Sequence, residues 1–164
     1  MHARDIISTH PDVRGNVSEA LVRCVDECYA CAQACTACAD SCLAEEMVQQ
    51  LKQCIRLNLD CADVCAATGA LASRRTGSNE QILRQMLQVC AAACNVCGEE
   101  CQRHAGQHEH CRFVRRLAAA ASRRARRQCG TSAELKSEDV GALGATSDCM
   151  NLSKQRYRRS TGWP

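Results

Sequence analysis

Six cysteines recur along residues 24–42 at intervals of four, three, four, three and four residues, and this repeat constrains the fold more than any other feature. The alternation keeps side chains on one face of an α-helix, whereas a β-strand would need a period of two. A zinc finger would need paired Cys-x-x-Cys knuckles separated by a loop. The sequence therefore predicts a long helix with an unbroken stripe of thiols where a bundle helix normally carries Leu and Ile. The six residues are Cys24, Cys28, Cys31, Cys35, Cys38 and Cys42.

Two later segments show the same alternation of three and four residues. One stripe joins Met47 and Leu51 to its cysteines, and the other runs from Leu83 towards His104 and His108. Each stripe predicts a helix that turns its thiols to one side. The cysteines of these two stripes are Cys54, Cys61, Cys65, Cys90, Cys94, Cys97 and Cys101.

The predicted fold class is all-α, an antiparallel up-down four-helix bundle with a cysteine-lined core over residues 16–128. We expect helices over residues 16–43 with Asn16 as N-cap, over residues 45–73, and over residues 79–104. Short links make neighbouring helices antiparallel, and burial of three thiol stripes requires a fourth helix, starting near His108 and including Cys111. Residues 1–15 form a lead-in with a short helical turn.

Alternating helix directions predict a bundle whose two ends differ in chemistry. One end is expected to be rimmed by thioether and imidazole groups and the other to be plugged by aliphatic side chains. The first end collects Cys42, Met47, Cys101, His104, His108, His110 and Cys111. The second collects Val17, Leu21, Leu71, Ala72, Leu83, Met86 and Leu87.

The chain has 16 cysteines among 164 residues, and their meaning depends on the compartment. The first residues lack an apolar run of signal-peptide length and a twin-arginine pattern, and no segment is long enough to span a bilayer. We therefore expect a cytoplasmic protein, in which so many thiols favour metal binding or redox chemistry over disulfides. The net charge of +3 is too small to predict a nucleic-acid or membrane partner.

A ladder of thiols suits Cu(I) better than other metals. Soft thiolates select Cu(I), zinc or iron–sulfur clusters, and Cu(I) accepts two or three sulfur ligands, so many small sites can form along the bundle. Zinc prefers closed tetrahedral sets and remains an alternative. Iron–sulfur clusters and nucleophilic catalysis fit less well, because no cysteine precedes a proline and the thiols have no adjacent base. A thiol redox switch is the alternative from another class, and we do not expect an enzyme.

Three histidines within seven residues predict an entry site for a soft ion. We rank His104, which is in phase with a cysteine stripe, and Met47 ahead of His108, and His110 last. The acidic residues lie off the stripes and are expected to form a solvated face. They are Asp26, Glu27, Asp40, Glu45, Glu46, Glu99 and Glu100.

These motifs resemble the cytosolic-type bacterial copper storage proteins, which are cysteine-rich four-helix bundles, over about residues 17–112. The resemblance implies storage of many Cu(I) ions per subunit, in a homotetramer to which a cytosolic copper chaperone could deliver the metal. It implies the 13 cysteines of the three stripes and Cys111 as ligands, with Met47, His104 and His108 at the mouth.

The sequence departs from this family in the fourth helix, where the family carries another cysteine ladder. Here Cys111 is followed by an Arg- and Ala-rich run whose narrow apolar face is Leu117, Ala118, Ala121 and Ala125, and which is expected to close the bundle poorly. In a reading frame shifted by one nucleotide, the codons at 113/114, 117/118, 120/121 and 124/125 become compatible with Cys, and a stop becomes possible at 133/134. We hypothesise that residues 113–164 derive from a frameshift. Residues 129–164 read as a disordered tail.

Overall fold

The computed structural model describes residues 2–131, and all regular structure in this part of the chain is helical. The predicted all-α class is therefore confirmed. None of the described helices combines the length and apolar character that crossing a bilayer requires. The tail predicted over residues 129–164 lies outside the described residues from residue 132 onward. The helices are α1 (Ala3–Ser8), α2 (Glu19–Leu43), α3 (Val48–Ser73), α4 (Glu80–His104) and α5 (Glu109–Thr131).

The first long helix begins later than expected and has a different N-cap. The Ser18 side chain accepts a hydrogen bond from the backbone N–H of Leu21 at 3.4 Å, so Ser18 and not Asn16 caps α2. Arg14 and Gly15 have φ values of 48° and 79°, so the chain is still turning there. Asn16 belongs to this turn, because its N–H donates to the carbonyl of Val13.

Contacts between thiols give the directions of the long helices. The sulfur atoms of Cys28, early in α2, and Cys90, early in α4, lie 3.9 Å apart, so these two helices run the same way. Cys65, late in α3, lies 3.8 Å from Cys90, so α3 runs opposite to α4. Cys38, late in α2, lies 3.9 Å from Cys111, early in α5. Each of α2 and α4 packs mainly against α3 and α5, which confirms the up-down bundle.

The aliphatic end of the bundle is covered by the lead-in helix. Ala3 and Ile7 of α1 are buried in a second apolar cluster, separate from the thiol core. His10 just beyond α1 lies 3.0 Å from the hydroxyl of Thr76 in the α3–α4 link. The prediction of an aliphatic plug is confirmed for this cluster, which also contains Leu21, Val22, Val25 and Ala72.

The fourth bundle helix closes the core better than its composition suggested. Small residues face each other at the contact with α4: a Cβ atom built on Gly98 would lie 3.6 Å from the Cβ of Ala118. Clefts of about 300 Å³ beside Arg115 and about 370 Å³ beside Arg126 remain along this contact. Val114 is buried on the inward face and Leu117 is only half-buried, because Val114 follows Cys111 by three residues in the helical repeat.

Candidate metal centre

Fourteen buried cysteines line the axis of the bundle. Each carries a free thiol and is 0 or 1 % exposed. A thiol is shorter than a Leu side chain, so sulfur atoms of different helices meet at the axis. All fourteen were predicted from the helical repeat and the resemblance. They are Cys24, Cys28, Cys31, Cys35, Cys38, Cys42, Cys54, Cys61, Cys65, Cys90, Cys94, Cys97, Cys101 and Cys111.

The first group of four thiols lies in the middle of the bundle. It consists of Cys31 from α2, Cys61 and Cys65 from α3, and Cys94 from α4, and their sulfur atoms all lie within 4.8 Å of one another. The sulfur atoms of Cys65 and Cys94 are 3.4 Å apart, and those of Cys31 and Cys61 are 3.9 Å apart. A soft ion in this group would therefore be reached by ligands from three helices.

The second group draws one thiol from every bundle helix. Cys38, Cys54, Cys101 and Cys111 have their sulfur atoms within 4.8 Å of one another. Cys54 lies 3.9 Å from Cys101 and 3.8 Å from Cys111. This group lies nearer the imidazole end than the first.

Neighbouring groups share ligands. Cys61 belongs both to the first group and to a set of three thiols with Cys35 and Cys97. Cys38 and Cys111 belong both to the second group and to a set that adds Cys42 and His110. The thiols therefore form a connected ladder in which one sulfur atom can serve two adjacent ions.

A buried amide interrupts the ladder between the two groups. Asn58 is 0 % exposed, and its Nδ2 donates to the carbonyl of Cys54 at 2.8 Å and lies 3.3 Å from the Cys54 sulfur. Its Oδ1 accepts from the thiol of Cys97 at 3.6 Å. Asn58 was expected only as a member of the α3 stripe. The structure shows it as a polar group whose donor and acceptor both face sulfur.

Hydrogen bonds between thiols pull their pKa values in opposite directions. Hydrogen bonding with Cys31 is the largest cause that lowers the pKa of Cys61 and the largest that raises the pKa of Cys65. Burial, ahead of the charge of Cys54, raises the pKa of Cys42 to about 12. A few thiolates are thus stabilised by thiol donors around them, while the remaining thiols hold their protons until a metal ion displaces them.

The imidazole closest to the thiols belongs to His110. Its Nδ1 lies 3.3 Å from the sulfur of Cys38, 3.5 Å from that of Cys111 and 4.0 Å from that of Cys42. Its side chain is 21 % exposed, so it lies between the core and the solvent. The histidine that the sequence ranked last is therefore the one that the fold brings into the thiol ladder.

A carboxylate joins two histidines at this end. Glu45, in the α2–α3 link, places Oε1 2.8 Å from Nδ1 of His108 and 3.1 Å from Nε2 of His110. These hydrogen bonds, that of His110 foremost, lower the pKa of Glu45. Glu45 was expected on a solvated face, and this expectation is wrong because the link folds back over the start of α5.

The other two predicted mouth residues have different surroundings. Nε2 of His104 lies 3.2 Å from Oε1 of Glu100, which also accepts from Arg103. Glu100 is buried at 8 % exposure, so it too departs from the solvated face. Met47 is 56 % exposed at the start of α3. Neither His104 nor Met47 contacts a thiol group as closely as His110 does, and their role as ligands stays a prediction.

Sequence reasoning missed three polar groups that meet the ladder or its mouth: Asn58, His110 and Glu45. Asn58 had a usable signal, since an amide in phase with cysteines on a buried stripe must find partners there. His110 directly precedes Cys111 at a helix start, where the side chain can fold back over the core. Glu45 had no such signal, because the course of a link is not periodic.

A four-helix bundle with a shared ladder of buried thiols and an imidazole at one end defines a protein that holds several soft metal ions. The sequence matches the family model of the copper storage protein, Csp, over residues 17–134. The chain belongs to this family, and the resemblance seen in the sequence is confirmed.

Solved structures and a curated relative agree with this assignment. The copper storage protein Ccsp from Streptomyces lividans, loaded with 10 copper equivalents, is 47 % identical with a TM-score of 0.74, over 78 % of this chain and 98 % of that one. The Cu(I)-bound copper storage protein BsCsp3 is 28 % identical with a TM-score of 0.59, over 68 % of this chain and 99 % of that one. The cysteine-rich protein YhjQ of Bacillus subtilis (strain 168) is 32 % identical over 88 residues, which are 54 % of this chain and 76 % of that protein.

Proposed function

We propose that this protein stores several Cu(I) ions by coordinating them to the thiolates of its core. The observation that carries the proposal is the sharing of ligands between groups, in which Cys61, Cys38 and Cys111 each belong to two sets. Cu(I) is satisfied by two or three sulfur ligands, so shared thiolates can bridge adjacent ions. The known relatives are described as copper-loaded or Cu(I)-bound.

Zinc is the competing ion. Either group of four thiols has the ligand number of a closed tetrahedral zinc site. Two zinc ions would occupy these groups, but the shared set around Cys35 and the thiols at Cys24 and Cys28 would then stay unused. A Cu(I) ladder uses all of them.

Cu(I) would enter at the imidazole end. His110 faces the thiols there, and His104, His108 and Met47 lie around it as further soft or borderline ligands. The opposite end is covered by α1 and its aliphatic cluster. Ion traffic through a single end follows from these two arrangements.

Anaerobic titration with Cu(I) against a competing chelator tests the proposal. Binding should saturate at roughly one ion per core thiol or somewhat fewer, with little change in helix content. A thiol redox switch would instead respond to oxidant through few thiols and change its shape. Saturation at two zinc ions, with no preference for Cu(I), would contradict storage of Cu(I).

A pair of variants sharpens this test. Cys61→Ala removes a thiol shared by two sets, whereas Cys129→Ala removes a half-buried thiol in the last turn of α5. Cys61→Ala should lower the copper capacity by more than one ion, and Cys129→Ala should leave it close to the wild-type value. Equal capacities would mean that the core thiols do not bind the metal.

We place the protein in the cytosol, as a homotetramer without catalytic activity that receives copper from a cytosolic chaperone. A further structure of the Streptomyces lividans relative, with five coppers, is described as that of a cytosolic copper storage protein. The exposed thioether of Met47 suits ligand exchange with a delivering protein. Light scattering of the purified chain would give its mass, and a monomer would contradict the tetramer.

The frameshift hypothesis for residues 113–164 stays a proposal, and the fold adds support to it. Four buried residues of α5 continue the inward stripe of Cys111, each 0 or 1 % exposed and part of the thiol cluster: Val114, Ala118, Ala121 and Ala125. These are the positions at which the shifted codons become compatible with Cys. Sequencing of the coding DNA tests the hypothesis, and a continuous frame through the same tail in close relatives would refute it.

A further inference from the structure

Glu45 is the one carboxylate that, among the described residues, bridges the two histidines of the mouth. A single oxygen, Oε1, lies 2.8 Å from Nδ1 of His108 and 3.1 Å from Nε2 of His110. An ionised carboxylate only accepts hydrogen bonds, so both of these ring nitrogens carry the proton. The two rings are held with their centroids 5.4 Å apart and their planes tilted by 37°.

The remaining nitrogen of each neutral ring is then fixed as a lone-pair donor. For His110 this is Nδ1, which faces Cys38 at 3.3 Å and Cys111 at 3.5 Å. Thiol protons pointing at Nδ1 agree with this tautomer. Cu(I) binds to a lone pair and not to an N–H, so the opposite tautomer would present a proton to the entering ion.

We propose that Glu45 is a positioning residue for copper entry, which fixes the ring orientation and tautomer of His110 and His108 so that Nδ1 of His110 offers its lone pair to an ion approaching Cys38, Cys42 and Cys111. The inference rests on the proposed storage of Cu(I). It assigns to the α2–α3 link the role that carboxylates and carbonyls commonly have behind metal-bound histidines, where they orient the ring and raise its basicity.

The same contact could be a simple clamp between the α2–α3 link and the start of α5. A clamp would affect the stability of the mouth, but it would not depend on which ring nitrogen carries the proton. The two roles are therefore distinguished by the tautomer and by the rate of copper entry, measured on a chain that stays folded.

The first measurement is ¹⁵N NMR of the ring nitrogens in the reduced, metal-free protein at neutral pH. We expect a proton on Nε2 of His110 and on Nδ1 of His108. In Glu45→Ala the proton should leave Nδ1 of His108, since its acceptor is gone. A proton on Nδ1 of wild-type His110 would overturn the proposal.

The second measurement is anaerobic stopped-flow uptake of the first equivalents of Cu(I) from a chelator. Glu45→Ala should slow uptake by about tenfold or more, the usual effect of removing such a partner. Glu45→Gln keeps an acceptor oxygen and should restore a rate close to the wild type, and Glu46→Ala is the matched control on the neighbouring exposed residue. Helix content and total capacity should be unchanged in all three variants.

A double-mutant cycle with His110→Ala completes the design. If Glu45 acts through His110, Glu45→Ala should cause no further slowing in the His110→Ala background. Wild-type rates in Glu45→Ala, or additive slowing in the double variant, would overturn the inference alone. A wild-type chain that takes up no Cu(I) would overturn the storage proposal instead.

Discussion

At the scale of the residue, the core exchanges hydrophobic stabilisation for ligand density. A thiol buries less apolar area than Leu at the same position, so each cysteine gives up part of the transfer free energy. In return the sulfur atoms of Cys31, Cys61 and Cys94 lie 3.8–4.0 Å apart across the axis. These distances are too long for disulfides and short enough for a metal ion to be shared.

Raised thiol pKa values predict that the metal-free bundle loses stability in alkali. Burial, and then the charge of Cys54, raise the pKa of Cys42 to about 12 from a model value of 9.0. The folded state keeps this proton when the unfolded state releases it, so stability is full below about pH 9 and is lost as the pH rises towards 12. Urea unfolding of the reduced, metal-free protein at several pH values would show this.

The control is Cys42→Ser, whose hydroxyl does not ionise in this range. Its free energy of unfolding should depend less on pH between 9 and 12 than that of the wild type. An identical pH dependence would mean that Cys42 does not contribute to the alkaline loss.

At the scale of the element, close packing between α2 and α3 depends on one glycine. A Cβ atom built on Gly69 would lie 3.1 Å from the ring of Tyr29, whereas one built on Gly98 would meet only Ala118 at 3.6 Å. Both glycines lie inside helices, where Ala is intrinsically favoured by roughly 1 kcal/mol. The surroundings therefore decide the sign of each substitution.

We predict that Gly69→Ala destabilises the bundle by about 1–3 kcal/mol, because the Tyr29 ring must move out of its packed position. Gly98→Ala should be neutral or stabilising, since the new methyl group makes an ordinary contact. Chemical denaturation of both variants without metal gives the comparison. Equal stabilities would show that the Tyr29 ring yields freely.

Helix α5 offers positions for additional ligands. The buried positions Val114, Ala118, Ala121 and Ala125 continue the repeat of Cys111. Replacing these four residues by Cys should raise the copper capacity by roughly one ion per added thiol or somewhat less. Anaerobic titration against the unmodified chain measures the gain.

The matched control places four cysteines on the exposed face of the same helix, at Arg112, Arg116, Arg123 and Arg127. These thiols lie away from the ladder and should add little chelator-resistant copper. An equal gain from both faces would show that the orientation of α5 does not determine binding.

At the scale of the whole molecule, bound copper should stabilise the bundle without reshaping it. The thiols of all four bundle helices already lie within a few ångströms of each other, as in the group of Cys38, Cys54, Cys101 and Cys111. A ligand that binds only the folded state adds about 2.7 kcal/mol per independent site at 100 times its Kd.

The expected result is a large rise of Tm with Cu(I) loading and a nearly constant far-ultraviolet circular dichroism spectrum. Zn²⁺ at the same concentration serves as the control and should raise Tm less. A marked change in helix content on loading would favour the redox-switch alternative.

The sequence by itself determined the long helices, the bundle and the fourteen core thiols, because helical periodicity is a local property that survives in the order of residues. The difference between the two ends followed from that periodicity and from alternating directions. Only the tertiary structure decided what happens at helix ends and links: His110 in place of His104 beside the thiols, Glu45 over the mouth, and Ser18 as the cap. Those positions depend on which groups of other helices lie opposite, and no repeat along the chain records them.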